Sequence, residues 1–225
     1  MKANLETRKS VRLNWFKQKK VPFTLERTME WSYYKSNVTL NELRPIAQKQ
    51  YIFSELKNPI PSTNIIMFEG DLPQAYMDTT GSVGDKFSTD KIHDTSVTII
   101  DRIVKADQGE EKVTKKPVPP HEAHMFKEIQ IHERKDKITR KLTVKNESHR
   151  PVAILELTFI ENNEIQFIKS NPAPKVTDAP EYKWEMEIPA ESSIVIEILV
   201  ENNIKNVYKI EKNDDEKIKQ QHSRM

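Results

Sequence analysis

The sequence contains no cysteine, and this absence excludes several kinds of functional site. A disulfide framework, a thiolate nucleophile and cysteine ligation of a metal are all excluded. Glycine is scarce as well, and the four glycines form neither a phosphate-binding loop nor a dinucleotide fingerprint. The Gly-x-Ser-x-Gly elbow of α/β-hydrolases is also missing. We therefore predict a protein that is not an enzyme and that has no cofactor.

Long apolar segments are missing too. No run approaches the ~18 residues that a membrane-spanning helix needs, and no uncharged apolar stretch follows the basic N-terminus as it would in a secretory signal. We expect a cytoplasmic protein, or a component of a virion or another assembly, with no signal peptide and no transmembrane segment. The Lys-, Glu- and Ile-rich composition, free of cysteine, is also typical of thermophiles.

The chain is rich in alternating strand patterns. Across residues 129–203, β-branched and aromatic residues alternate with polar ones, and turns rich in Asn, Ser and Pro interrupt them about every 8–12 residues. Ile138, Arg140, Leu142 and Val144 fall on one side of such a strand. This pattern predicts an all-β protein built as an antiparallel Ig-like β-sandwich, with two β domains and a short polar C-terminal tail.

Composition shifts suggest where the domains begin and end. Three prolines within four residues, Pro117, Pro119 and Pro120, favour an extended connection rather than a central strand. A long crossover inside one continuous sandwich remains the alternative to a linker. The predicted segments are a basic N-terminal arm (1–20), an N-terminal β domain (21–109), a Pro-rich linker or long loop (110–124), an Ig-like β-sandwich (125–203) and a polar tail (204–225).

Several phrases lie at strand ends and turns across residues 50–203. They are Leu142-Thr143-Val144-Lys145-Asn146, Arg150-Pro151-Val152, Ser170-Asn171-Pro172, Trp184, Ile188-Pro189-Ala190-Glu191, Ile60-Pro61-Ser62 and Gly81-Ser82-Val83-Gly84. Together they resemble the uncharacterised β-sandwich domain in the C-terminal half of mucoidy-inhibitor-A-like proteins. The resemblance implies an all-β fold and no established catalytic residues. The coiled coil that usually precedes the domain has no counterpart here, because residues 1–50 show no heptads.

Three histidines are weak candidates for a metal site. His121 and His124 stand at positions i and i+3, whereas the zinc-protease helix places its histidines at i and i+4, on one face. His132 lies on a predicted strand farther along. A solvated loop is the favoured interpretation, so we predict no metal.

The basic N-terminal arm is the remaining functional candidate. Residues 1–20 contain seven cations against one glutamate, with aromatic residues among them. Such cations can contact phosphates while exposed rings stack on bases. The alternative is a first strand whose lysines extend to water. The residues that would bind nucleic acid or an acidic partner are Arg8, Lys9, Arg12, Trp15, Lys17, Lys19 and Lys20.

These observations predict a non-catalytic interaction or structural module. It would assemble with other protein chains, or with copies of itself, through sheet edges, loops and charged termini. Two alternatives remain open: a nucleic-acid- or ribosome-associated protein that uses residues 8–20, and a structural protein of a virus or surface lattice.

Overall fold

The computed structural model describes residues 18–212, and this part of the chain is all-β, as predicted. Strands make up 61% of these residues and none is helical. Within this range no helix could therefore cross a membrane. The strands are β1 (Phe23–Trp31), β2 (Glu42–Leu43), β3 (Gln48–Phe53), β4 (Thr63–Glu69), β5 (Leu72–Thr79), β6 (Phe87–Ser88), β7 (Ile92–His93), β8 (Val97–Asp107), β9 (Lys112–Lys116), β10 (Phe126–Asn146), β11 (Val152–Ile160), β12 (Ile165–Asn171), β13 (Val176–Asp178), β14 (Glu181–Ile188) and β15 (Ser193–Glu211).

The chain forms two compact units. The described part of the smaller unit is 18–26 and 49–92, and that of the larger unit is 27–48 and 93–212. These bounds differ from the predicted segments 21–109 and 125–203, and the division into domains remains a prediction. The bounds differ because Met29 and Trp31 from β1, and Val97 and Ile99 from β8, belong to the same hydrophobic core as the later strands.

Two sheets of the larger unit supply that core. One has the strand order β13-β14-β11-β1, in which β1 runs parallel to β11 from Thr28 to Trp31. The other has the order β12-β15-β10-β8-β2 and is antiparallel, with β9 also paired to β10. The parallel pair makes the first sheet mixed, where the alternation predicted antiparallel pairing. Fully buried side chains of both sheets join in one cluster that includes Leu157, Trp184, Leu142 and Ile196.

The smaller unit contains a hairpin and an aromatic cluster. Strands β4 and β5 pair antiparallel around Gly70, whose positive φ of 63° suits the hairpin turn. Phe23, Tyr51, Phe53 and Phe87 contact one another, with ring centroids 5.8 to 6.4 Å apart.

The segments predicted as linker and tail both contribute to the larger unit. Within 110–124, β9 pairs with β10 from Ile129 to Glu133, and β15 continues to Glu211, well inside the predicted tail. Strands β8 and β9 run in the same direction along β10. Residues 108–111 form a bulge between them, facing residues 134–136.

Glycine is required at this bulge. The Gly109 N–H donates to Asp136 Oδ1 over 3.0 Å. A Cβ on Gly109 would lie 2.1 Å from the carbonyl oxygen of Lys135, which is backbone and cannot move aside freely. The close approach fixes where β8 gives way to β9.

We predict that Gly109→Ala destabilises the protein by about 1–3 kcal/mol, the usual cost of forced overpacking. The free energy of unfolding would be measured by urea denaturation. Gln108→Ala, at the exposed neighbouring position, is the control and should change it by less than about 0.5 kcal/mol. Equal effects of the two substitutions would contradict the close packing at the bulge.

Candidate interaction surface

The most concentrated set of buried polar groups lies in the core of the larger unit. Arg140 and Asp101 are both completely buried, and Arg140 Nε donates to Asp101 Oδ1 over 2.9 Å. The Tyr33 hydroxyl donates to the other carboxylate oxygen, Oδ2, also over 2.9 Å. Arg140 Nη1 donates to the carbonyls of Val38 (2.7 Å) and Leu40 (2.9 Å). These bonds tie β10 and β8 to the loop that follows β1.

The side chains of this network stabilise the core and have no access to a substrate. Burial raises the pKa of the Tyr33 hydroxyl, and the charge of Asp101 raises it further. Burial also raises the pKa of Asp101, although the charge of Arg140 opposes that change. A catalytic group needs access to a substrate, whereas these three side chains have no exposed surface and already contact one another.

A second buried carboxylate anchors the loop before β8. Asp94 is completely buried and accepts a hydrogen bond from Arg27 Nε at 2.7 Å. It also accepts bonds from the backbone N–H and the hydroxyl of Ser96. Burial raises the pKa of Asp94, but the bonds from Ser96 and Arg27 outweigh that effect and hold it below its ordinary value of 3.8.

The three candidate histidines are not brought together as a metal site. His121 and His124 are exposed in the turn before β10. His132 lies on β10, where Nδ1 is 3.2 Å from Glu111 Oε1 and the ring packs edge-on against Tyr208 at 4.9 Å. No cluster of three or more potential metal ligands occurs within residues 18–212.

The basic N-terminal arm is described only at its end. Arg8, Lys9, Arg12, Trp15 and Lys17 lie outside the described residues. Lys19 and Lys20 are exposed in the smaller unit. The nucleic-acid interpretation of residues 8–20 therefore stays a prediction.

An apolar pocket of about 280 Å³ occurs in the smaller unit. Phe53, Leu56, Ile65 and Phe87 contribute to its wall, and Gln18 and Thr89 are the polar residues among those that line it. It contains no ionisable side chain that could act as an acid or base.

A three-stranded extension continues the second sheet beyond the core. It comprises β9, residues 126–136 of β10 and residues 203–211 of β15. The core cluster ends at Ile138 on β10 and at Val200 on β15. On β10 the positions that would continue the core face are polar: Asp136, Arg134, His132, Gln130 and Glu128. On this face β10 therefore contributes no apolar side chain beyond Ile138, and Ile204, Tyr208 and Ile210 of β15 lie opposite its polar residues.

The opposite face of the extension has a short apolar centre bordered by lysines. Cross-strand partners share a face, so Ile131 lies between Thr114 on β9 and Val207 on β15. Ile131 is only 9% exposed. The neighbouring rows on this face place Lys112, Lys116, Lys205 and Lys209 at the corners, where their aliphatic stems can cover apolar surface.

The two edges of the extension differ. On the β9 edge the sequence is Lys-Val-Thr-Lys-Lys, and prolines follow it. Lysines and prolines at a sheet edge discourage pairing with another strand. The β15 edge contains Val207, Tyr208 and Ile210, which are 57%, 49% and 36% exposed. Strand β12 covers β15 only as far as Asn202. Among the described residues no strand pairs with the outer side of β15 from 203 to 211.

No protein-family model, curated protein or solved structure matches this chain. The functional interpretation therefore depends on the geometry of the chain itself.

Sequence reasoning did not identify this surface. Residues 204–211 read as a polar tail because Asn and Lys interrupt the apolar residues. One signal was available: Ile204 and Val207-Tyr208 with Ile210 continue the strand-forming composition of β15 past Asn203.

We predict that Arg140→Met costs about 3–5 kcal/mol of unfolding free energy, because it leaves the buried Asp101 carboxylate without its cation. Urea denaturation would measure the loss. Lys141→Met, at the exposed next residue of the strand, is the control. Adding Asp101→Asn to Arg140→Met should recover part of the stability, and a single variant as stable as wild type would contradict the network's role.

The ion pair of Asp94 predicts a pH dependence. Because the folded-state pKa is lowered, the ionised carboxylate stabilises the fold at neutral pH, and this contribution is lost as the pH falls below about 4. Asp94→Asn should therefore lower stability at neutral pH and flatten its decline towards about pH 2. Thermal unfolding across this range provides the measurement. Asp178→Asn, at an exposed carboxylate, should leave the profile unchanged; a wild-type slope in Asp94→Asn would refute the assignment.

Proposed function

We propose that the chain is a non-catalytic interaction module that binds protein chains by strand addition at the outer edge of β15. The observation that carries the proposal is this edge, which no described strand pairs with from residue 205 to 211 and along which apolar side chains are exposed. An edge strand presents unpaired N–H and C=O groups that another extended segment can complete. Side chains on the two faces then supply selectivity.

Two further observations support a module rather than an enzyme. The buried ionisable groups Arg140, Asp101 and Asp94 are engaged in bonds within the core. The apolar pocket of the smaller unit lacks acid–base groups among its lining residues. Neither feature offers the paired groups of unlike environment that acid–base catalysis uses.

The fold we propose for the larger unit is an Ig-like β-sandwich. Supporting it are two sheets that share one core and a buried tryptophan, Trp184, whose Nε1 donates to the Pro172 carbonyl over 3.1 Å. Such a scaffold leaves function to its edges and loops. The resemblance to mucoidy-inhibitor-A-like proteins remains a prediction.

A photo-crosslinking residue tests the proposed function. Benzoylphenylalanine in place of Tyr208 should form covalent adducts with a bound chain in the cell of origin, because the ring lies at the open edge. The same residue in place of Tyr34, which is 53% exposed away from this edge, is the control. Mass spectrometry would identify the adducts.

Protein adducts at Tyr208 but not at Tyr34 would support strand addition. Equal yields at both positions, or none at Tyr208, would overturn it. Neither substitution should disturb the fold, because Tyr208 and Tyr34 are both exposed aromatic residues.

A further inference from the structure

The backbone of the outer β15 edge has a definite orientation. The Asn203 N–H donates outward to the Glu164 carbonyl over 2.7 Å, whereas the Lys212 N–H donates inward to the Met125 carbonyl over 3.0 Å. Successive residues of a strand direct their N–H and C=O groups to alternate sides. Lys205, Val207, Lys209 and Glu211 therefore present their backbone groups to the open side.

These four residues also share one face of the sheet, and their charges are unevenly placed along it. Two lysines come first and a glutamate closes the strand, all three exposed. A segment that pairs here antiparallel brings its own outward-directed residues opposite these four. The charges therefore select among the possible partners and registers.

We propose that the occupant of this edge is a second copy of this chain, paired antiparallel through the same strand with Tyr208 opposite Tyr208. The inference rests on the proposed function, strand addition at β15. A twofold axis at Tyr208 relates the two copies, so each contact occurs twice.

In this register Lys205 of each copy lies opposite Glu211 of the other, and Val207 lies opposite Lys209. Both pairs join outward-directed residues, as antiparallel hydrogen bonding demands. Opposite charges across a strand pair stabilise it. Lys205 also keeps its own-chain partner Glu133, 2.8 Å away, so the lysine would lie between two carboxylates.

The register shifted to place Val207 opposite itself is disfavoured. It brings Lys205 of each copy opposite Lys209 of the other, and like charges directly opposite one another are destabilising. The charges that favour the Tyr208 register thus disfavour the Val207 register.

A charge-swap series on the full chain, followed by sedimentation equilibrium, tests the proposal. Glu211→Lys should lower the association constant about tenfold because both pairs become repulsive. Lys205→Glu should lower it similarly, and the double variant should restore most of it. Glu197→Lys makes the same charge change on an exposed part of β15 outside the open edge, and should leave association unchanged.

Other outcomes would overturn the proposal. A strengthened dimer in Lys205→Glu would indicate the Val207 register, and a dimer insensitive to all four variants would place the interface elsewhere. A wild-type monomer that dimerises only after truncation beyond Lys212 would identify the chain's own C-terminal residues as the occupant. A wild-type monomer whose Tyr208 crosslinks to a different protein would retain the proposed function while removing the second copy.

Discussion

The buried ion pair of Arg140 and Asp101 is the constraint on which the larger unit depends. Arg140 occupies a core position on β10 and bonds to Asp101 on β8 and to the carbonyls of Val38 and Leu40. Removing two charges from water is costly unless all their hydrogen-bonding groups find partners. Because the Tyr33 hydroxyl donates to the second carboxylate oxygen, the network fixes β8, β10 and the loop after β1 against one another. Two residues earlier on β10, at Ile138, the core ends.

This position explains the three-stranded extension. Beyond Ile138 the core-facing side of β10 is polar, and β10 and β15 continue there as paired strands outside the core cluster. Hydrogen bonds to β9 and β15 hold this part of β10 on both sides, whereas β15 is held on only one. The extension therefore has a β9 edge whose lysines and prolines discourage pairing, and a β15 edge that is open to pairing.

Much of the fold, but little of this surface, could be predicted from the sequence. Alternation predicted the all-β class and placed Arg140 in line with Ile138, Leu142 and Val144, a parity that already pointed to burial. Alternation could not identify Asp101 as the partner of Arg140, because a local pattern does not show which distant strands pair. Nor could it assign β9 or residues 204–211 to strands. Both segments pair with β10, but the lysines and asparagines among their few apolar residues interrupt the alternation that marks a strand.

Amide hydrogen exchange, resolved by NMR at several protein concentrations, tests the central claim most directly. At low concentration the amides of Lys205, Val207 and Lys209 should exchange quickly, while those of Asn206 and Tyr208, bonded to β10, stay protected. Raising the concentration should protect the first three and leave the others unchanged. Exchange at Val207 that is equally fast at every concentration, or equally slow in the monomer, would contradict an open edge that binds a second copy.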